Sequence, residues 1–114
     1  QNTPEEQNRR LAAIQEAYKE AALVPFKTME KSLEVLKLSR VVVEKGNVNT
    51  ISDAGASALM AKSALEGALM NVKINLKSIE DQEFVSGLRE KSESILSEAT
   101  KLKEEIDRIL QEKL

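Results

Sequence analysis

The chain has 114 residues, a formal net charge of −2, and neither cysteine nor histidine. Its length corresponds to one domain, residues 1–114, with a small core and a limited margin of stability. The lack of cysteine excludes a disulfide framework and a thiolate metal site, and the lack of histidine removes the commonest metal ligand and general base. We therefore predict no metal, and the slightly acidic balance predicts no nucleic-acid partner.

The composition predicts an all-α protein. Ala, Leu, Glu and Lys are abundant, whereas the chain has only four glycines and two prolines. No apolar run is long enough to span a bilayer, and no signal peptide is visible. We therefore expect no membrane partner and a cytoplasmic location.

The first predicted helix begins at Thr3, which can cap it, and Pro4 suits its first position. Apolar side chains then recur every three or four residues as far as Val43, without a change of phase at Pro25. A proline inside a helix costs about 3 kcal/mol and normally bends it. The pattern favours one long helix bent at Pro25, with two nearly coaxial helices as the alternative. Gly46 is predicted to end this helix as a left-handed cap.

The central helix is predicted from about Ser52 to Ile79, with Ser52 or Asp53 as its cap. One face of it carries small and amide side chains at helical spacing: Ala54, Ala58, Ala61, Ala64, Ala68, Asn71 and Asn75. The neighbouring sectors are apolar, so this helix is predicted to be the buried centre of a bundle.

Glycine and amide residues in the central helix allow two interpretations. Gly55 and Gly67 each cost about 1 kcal/mol relative to alanine in a helix, and tight helix packing is the simpler reason for them. The alternative is room for a flat ligand beside Asn71 and Asn75. Both amides lie on the alanine face of the central helix and are predicted to be buried. Because an unpaired buried polar group costs about 1–3 kcal/mol, they are also predicted to be hydrogen-bonded.

The final helix is predicted from about Gln82, after Glu80 and Asp81, which we interpret as turn or capping residues. Its apolar stripe alternates spacings of four and three: Leu88, Ser92, Ile95, Ala99, Leu102, Ile106 and Ile109. Such a stripe is typical of helices that pack along their length at a shallow angle. It fits packing within the bundle and contact between protomers equally well. We predict a bundle of three long helices.

Two motifs in the central stretch resemble a known family. The segment GNxNxxSDAG begins at Gly46, and GAxxNVxINLKxIxD follows from Gly67 to Asp81. This combination is similar to the cyclodeaminase/cyclohydrolase family of folate enzymes, which includes the C-terminal domain of formiminotransferase-cyclodeaminase and free-standing bacterial methenyltetrahydrofolate cyclohydrolases. With Ala21, Ala22, Val24 and Pro25 upstream, the resemblance covers most of the chain.

The resemblance implies a homodimer whose substrate is a tetrahydrofolate carrying one carbon. The implied activity is formimidoyltetrahydrofolate cyclodeaminase, with methenyltetrahydrofolate cyclohydrolase as the alternative. Both reactions need proton transfer and stabilisation of a cationic carbon, which a carboxylate can supply. Asp53, the acid within the motif, is the candidate catalytic residue, although a role as helix cap is the competing interpretation. The candidate substrate-binding residues are Asn47, Asn49, Ser52, Asn71, Asn75, Lys73 and Lys77.

The chain also departs from the family pattern. Family domains are nearly twice as long and begin with helices that carry a glycine-rich segment, whereas this sequence begins at Gln1 without such a segment. We therefore expect a C-terminal portion of a cyclodeaminase-like domain, and little or no activity from these 114 residues alone. An inactive fragment or a non-enzymatic helical interaction module is the further alternative.

Overall fold

A computed structural model describes residues 3–114 and contains three long helices, with no strand in that range. Helix α1 is Pro4–Lys45, α2 is Val48–Leu76 and α3 is Gln82–Lys113. All three pairs of helices are in contact, and α2 runs antiparallel to the other two. The predicted all-α bundle of three long helices is confirmed.

Helix α1 begins as predicted and stays continuous through Pro25. The Thr3 hydroxyl accepts a hydrogen bond from the Glu6 N–H at 3.1 Å, and Pro4 occupies the first helical position. The residues before Gln15 extend beyond the turn that joins α2 to α3, and Leu11 there is 61% exposed. Helix α1 is thus long enough to support both of the other helices along their length.

The link between α1 and α2 differs from the prediction in two ways. Gly46 is not a left-handed cap, because its φ of −81° and ψ of 168° are extended. Glycine is favoured here by crowding instead, since a Cβ would lie 2.8 Å from the Val42 carbonyl oxygen. The cap of α2 is Asn47, not Ser52 or Asp53, so the helix begins at Val48, four residues before its predicted start.

The C-terminal end of α2 also differs from the prediction, which continued the helix to Ile79. Helix α2 ends at Leu76, where the backbone tightens into a turn. The N–H groups of Lys77 and Ser78 donate to the carbonyls three residues earlier, at 3.3 and 3.2 Å. Ile79 therefore leaves the helix but stays buried beneath the turn.

The core lies between the three helices, and only one side of α2 faces it. Its largest fully buried side chains include Met29, Leu36, Leu65, Val72 and Ile106. The opposite side of α2 is open, since Met60 is 72% exposed and Ile74 is 65% exposed. Helix α2 is apolar nearly all round, but its two neighbouring helices cover only part of its perimeter, so a single chain buries one side of it.

Both ends of α3 are attached to α1. At the N-terminal end of α3, the Asp81 carboxylate caps the helix by accepting a hydrogen bond from the Phe84 N–H. It also accepts a hydrogen bond from Lys19 Nζ at 2.9 Å. This pairing lowers the pKa of Asp81 and raises the pKa of Lys19. At the other end, Lys113 Nζ donates to the Val43 carbonyl at 2.8 Å. Helix α3 is therefore held against one side of the α1–α2 pair.

The molecule is a rod of 68 × 21 × 16 Å. Its radius of gyration is 19.1 Å, whereas a compact domain of this length has about 13 Å. None of the helices in residues 3–114 is long and apolar enough to cross a membrane. The long shape leaves one side of α1 and α2 uncovered from end to end.

Candidate functional site: the α1–α2 groove

A groove runs between α1 and α2 on the side away from α3. It has three segments, with volumes of about 520, 450 and 280 Å³. Neighbouring segments share lining residues: Thr28 and Ala64 at one junction, Val35 and Ser57 at the other. They therefore form one continuous surface, which we call the α1–α2 groove. Its largest segment falls in the size range of small-molecule sites.

Asn71 and Asn75 lie in the largest segment of the groove. Contrary to prediction, Asn71 is exposed and Asn75 is only partly buried. Asn75 Nδ2 donates to the Asn71 carbonyl at 2.9 Å, which fixes one amide against its own helix. The Asn71 side chain and the Asn75 amide oxygen can therefore still meet a ligand, because the open groove replaces the predicted burial.

Pro25 faces this amide pair across the groove, together with Ala21, Val24 and Thr28. Proline has no N–H, so the Ala21 carbonyl lacks its usual helical donor at position 25. The segment thus combines apolar walls with a backbone acceptor and two amides. Polar groups of both kinds on an apolar wall suit a flat heterocycle with donors and acceptors along its edge.

Asp53 lines the opposite end of the groove, beside Thr50 and Ser57. It is exposed and lies in the second turn of α2, so its carboxylate caps nothing. Ser52 precedes it and is exposed as well, without a capping role. The capping interpretation of Asp53 is therefore wrong, since Asn47 performs that role.

The remaining candidates lie outside the groove. Asn47 Oδ1 accepts from both the N–H and the hydroxyl of Thr50, at 3.0 and 2.9 Å, so its side chain is used by the helix. Asn49 is exposed in the first turn. Lys73 pairs with Glu93 of α3 at 3.2 Å, and Lys77 follows the end of α2. The lysines thus face away from the amide pair or lie beyond it.

The polar side chains of α2 that line the groove lie on the same side of the helix but are far apart along its axis. Asp53 and Asn71 are eighteen residues apart, which is five helical turns and therefore the same side of the helix. Along the axis they are separated by roughly 27 Å at 1.5 Å per residue. A single chain therefore does not bring the acid and the amides together.

Sequence reasoning missed Lys31 and Thr28, which line the middle of the groove. Neither lies in the central stretch that carries the motifs, so no sequence signal singled them out. No group of three acidic side chains that could hold a metal ion occurs within residues 3–114.

Comparison with known proteins identifies the family. The sequence profile of formiminotransferase-cyclodeaminase matches residues 1–94. The chain belongs to this family. Both motifs and the whole α1–α2 groove lie inside the matched range, whereas the last part of α3 lies beyond it.

Two curated relatives of the family bear enzyme names. The chain is 43% identical over 105 residues to methenyltetrahydrofolate cyclohydrolase of Methylorubrum extorquens, which covers 92% of the chain and 50% of the relative. It is 36% identical over 98 residues to formimidoyltransferase-cyclodeaminase of Rattus norvegicus, covering 86% of the chain and 18% of the relative. The chain thus spans about half the length of the bacterial relative and a smaller share of the mammalian one.

Proposed function

We propose that this protein acts on a tetrahydrofolate carrying one carbon, as a formimidoyltetrahydrofolate cyclodeaminase. Methenyltetrahydrofolate cyclohydrolase is the alternative, since relatives of both names match the chain. The observation that carries the proposal is the α1–α2 groove, which the motif residues Asp53, Asn71 and Asn75 line in a family of that name. The cytoplasm stays the proposed compartment, because the relatives' names denote tetrahydrofolate chemistry.

The proposed reaction needs two proton transfers. N10 of the substrate attacks the formimino carbon on N5, and the N10 proton passes to the formimino nitrogen. A second proton from solvent then lets that nitrogen leave as ammonia, which gives the methenyl bridge and its positive charge. In the alternative reaction, water adds to the same bridge and one carbon–nitrogen bond breaks. A carboxylate beside the carbon can carry the proton and offset the charge.

Asp53 is the proposed proton carrier. It is the one acid that lines the α1–α2 groove among the described residues, and it has no structural role as a cap. Asn71 and Asn75 are proposed to bind the edge of the pterin ring. Asn47, Asn49 and Ser52 lie near the same end of α2 as Asp53, where they are proposed to support the substrate or a water molecule.

We also propose that the protein works as a homodimer. Asp53 and Asn71 lie on the same side of α2, and their midpoint is at the level of Ala61 and Lys62. A two-fold axis at that level would set two α2 helices antiparallel and place Asp53 of one protomer opposite Asn71 of its partner. Such an isologous contact would create two equivalent sites, each with one acid and one amide pair.

The test is Asp53→Asn in the full-length protein, assayed with formimino- and methenyltetrahydrofolate. We expect turnover to fall at least 100-fold, which corresponds to about 2.7 kcal/mol of transition-state stabilisation. The unfolding free energy should change by only a few tenths of a kcal/mol, as for an exposed surface substitution. Asp107→Asn on α3 is the matched control, because that exposed acid pairs only within its own helix.

Wild-type turnover in the Asp53→Asn variant would remove Asp53 from the mechanism. A wild-type protein that binds no reduced folate would favour the non-enzymatic interaction module instead. Turnover of one substrate alone would decide between the two proposed reactions.

A further inference from the structure

The middle segment of the α1–α2 groove contains a cation without a structural partner. Lys31 lines this segment together with Thr28, Val35, Met60 and Ala64. No ion pair among residues 3–114 includes it, although other lysines of the bundle are paired, such as Lys19 with Asp81. Among the described residues that line the groove, Lys31 is the one positive charge.

The register of the two helices fixes where Lys31 lies relative to the amide pair. Thr28 lies opposite Ala64, where the first and second segments meet. Because α1 and α2 run antiparallel, Lys31 is then level with about position 61 of α2. Asn71 is ten residues further along α2, which is roughly 15 Å at 1.5 Å per residue. A helical Cα–Cβ bond tilts toward the helix N-terminus, which here is the direction of Asn71.

Between Lys31 and Asn71 the groove is lined mainly by apolar residues and is open to solvent. Its floor is made of Ala64 and Gly67, and Val24 and Pro25 form the opposite wall. No charged side chain lines this segment. An apolar ring can lie along such a surface, and an anionic group at its far end would meet Lys31.

We propose that Lys31 binds a carboxylate of the glutamate arm of the folate. This inference rests on the proposed function and deepens it. With the pterin ring at Asn71 and Asn75, the p-aminobenzoyl ring lies over Ala64 and Gly67, and the arm ends at Lys31. A lysine ammonium is a mobile point charge with three donors, which suits a flexible carboxylate arm.

The assignment replaces the lysines singled out from the sequence. Lys73 is already paired with Glu93 at 3.2 Å, on the side of α2 that faces α3. Lys77 follows α2 and lines none of the groove segments. Neither lysine can therefore bind a glutamate arm that runs from the amide pair toward the middle of the groove.

The experiment compares two ligands and two variants. The ligands are 5-formyltetrahydrofolate, which carries one glutamate, and 5-formyltetrahydropteroate, which carries none. Lys31→Met keeps the apolar stem and removes the charge. Lys101→Met is the control, because Lys101 is an exposed lysine of α3 outside the groove. Dissociation constants are measured by calorimetry on the full-length protein at low and high salt.

We expect Lys31→Met to weaken binding of the glutamate-bearing ligand about fivefold or more at low salt, as an ion pair screened by salt would. Binding of the pteroate should stay unchanged, and Lys101→Met should affect neither ligand. Equal weakening of both ligands, or none, would overturn the assignment.

Three outcomes keep this test separate from that of the proposed function. If the wild-type protein binds neither ligand, the proposed function fails and the assignment of Lys31 fails with it. If folate binds but Lys31→Met changes the oligomeric state in sedimentation instead of the affinity, Lys31 belongs to the protomer contact. Folate binding with an unaffected Lys31→Met variant rejects only the lysine.

Discussion

Gly67 is a helical glycine that no contact within the chain requires. A Cβ at this position would meet nothing within 4 Å, although the residue lies on the floor of the α1–α2 groove. Gly55 differs, because its Cβ would come 2.9 Å from a Leu110 methyl group of α3. The sequence prediction of tight helix packing therefore holds for Gly55, whereas packing within the chain does not explain Gly67.

The expected effect of Gly67→Ala is a more stable but less functional protein. Alanine should raise the unfolding free energy by about 0.5–1 kcal/mol, as in other helix interiors. The new methyl group should raise the KM for the folate substrate, because it narrows the floor of the groove. Chemical denaturation and steady-state kinetics measure the two effects.

Gly87→Ala provides the matched control for this prediction. Gly87 is also helical, and a Cβ there would also meet nothing within 4 Å, but it lies on α3 outside the groove. It should gain the same stability without any change in KM. If Gly67→Ala leaves KM unaltered as well, the open floor is not a ligand surface.

At the scale of the elements, the three helices were predictable because their apolar periodicity is long and regular. The cap Thr3 was predicted too, because it precedes a stretch with a clear helical signal, whereas Asp81 was interpreted only as a turn or capping residue and is the N-cap of α3. Asn47 was missed as the cap of α2, because Gly46, Asn47 and Asn49 together are typical of a turn. The sequence signal for this cap was Thr50, three residues later, whose N–H and hydroxyl both donate to the Asn47 side chain.

The attachment of α3 to α1 should depend on pH. The pKa of Asp81 is lowered mainly by its hydrogen bond from Lys19, and further by the Phe84 N–H. A carboxyl group whose pKa is lower in the folded state stabilises the fold at pH values above its unfolded-state pKa. That stabilisation is lost as the pH falls through the folded-state pKa. Asp81→Asn keeps a good cap but removes the charge. It should therefore reduce stability slightly at neutral pH and not at strongly acidic pH.

Urea unfolding at both pH values measures this difference, and Lys19→Met supplies the reference background. In that background Asp81 keeps the hydrogen bond from the Phe84 N–H but loses its cationic partner, so Asp81→Asn should have a smaller effect at neutral pH. An effect of Asp81→Asn that is equal in both backgrounds and at both pH values would assign it to capping alone.

At the scale of the whole molecule, the sequence could not show which side of α2 stays open. Periodicity defines the faces of a helix, but the positions of its neighbours decide which faces are covered. Helix α3 covers the side of Gly55 and Lys73, so the side with Met60, Asn71 and Asp53 remains uncovered. The predicted burial of Asn71 and Asn75 failed for this reason.

The proposed homodimer predicts that a charge in the middle of the open side prevents association. Met60 is 72% exposed and lies near the level of the proposed two-fold axis. Large exposed apolar patches are rare on monomers, so the wild-type protein should sediment as a dimer at micromolar concentration. Met60→Lys should sediment as a monomer, because each protomer would bring a new cation to the axis beside Lys31.

Val41→Lys is the control for association. Val41 is 48% exposed on α1 but lines no segment of the groove. This variant should remain dimeric. A wild-type protein that sediments as a clean monomer, or a Met60→Lys variant that stays dimeric, would contradict the proposed contact.

The rod shape of the chain has a hydrodynamic consequence for that experiment. A particle 68 Å long and 16–21 Å wide diffuses more slowly than a sphere of the same mass. A single 12.6 kDa chain would therefore elute early from a gel-filtration column and imitate a compact protein of larger mass. Two such rods packed side by side, as in the proposed dimer, would be thicker but hardly longer, so their frictional ratio would be lower. Sedimentation equilibrium depends on buoyant mass and not on friction, and it separates the two states where elution volume would mislead.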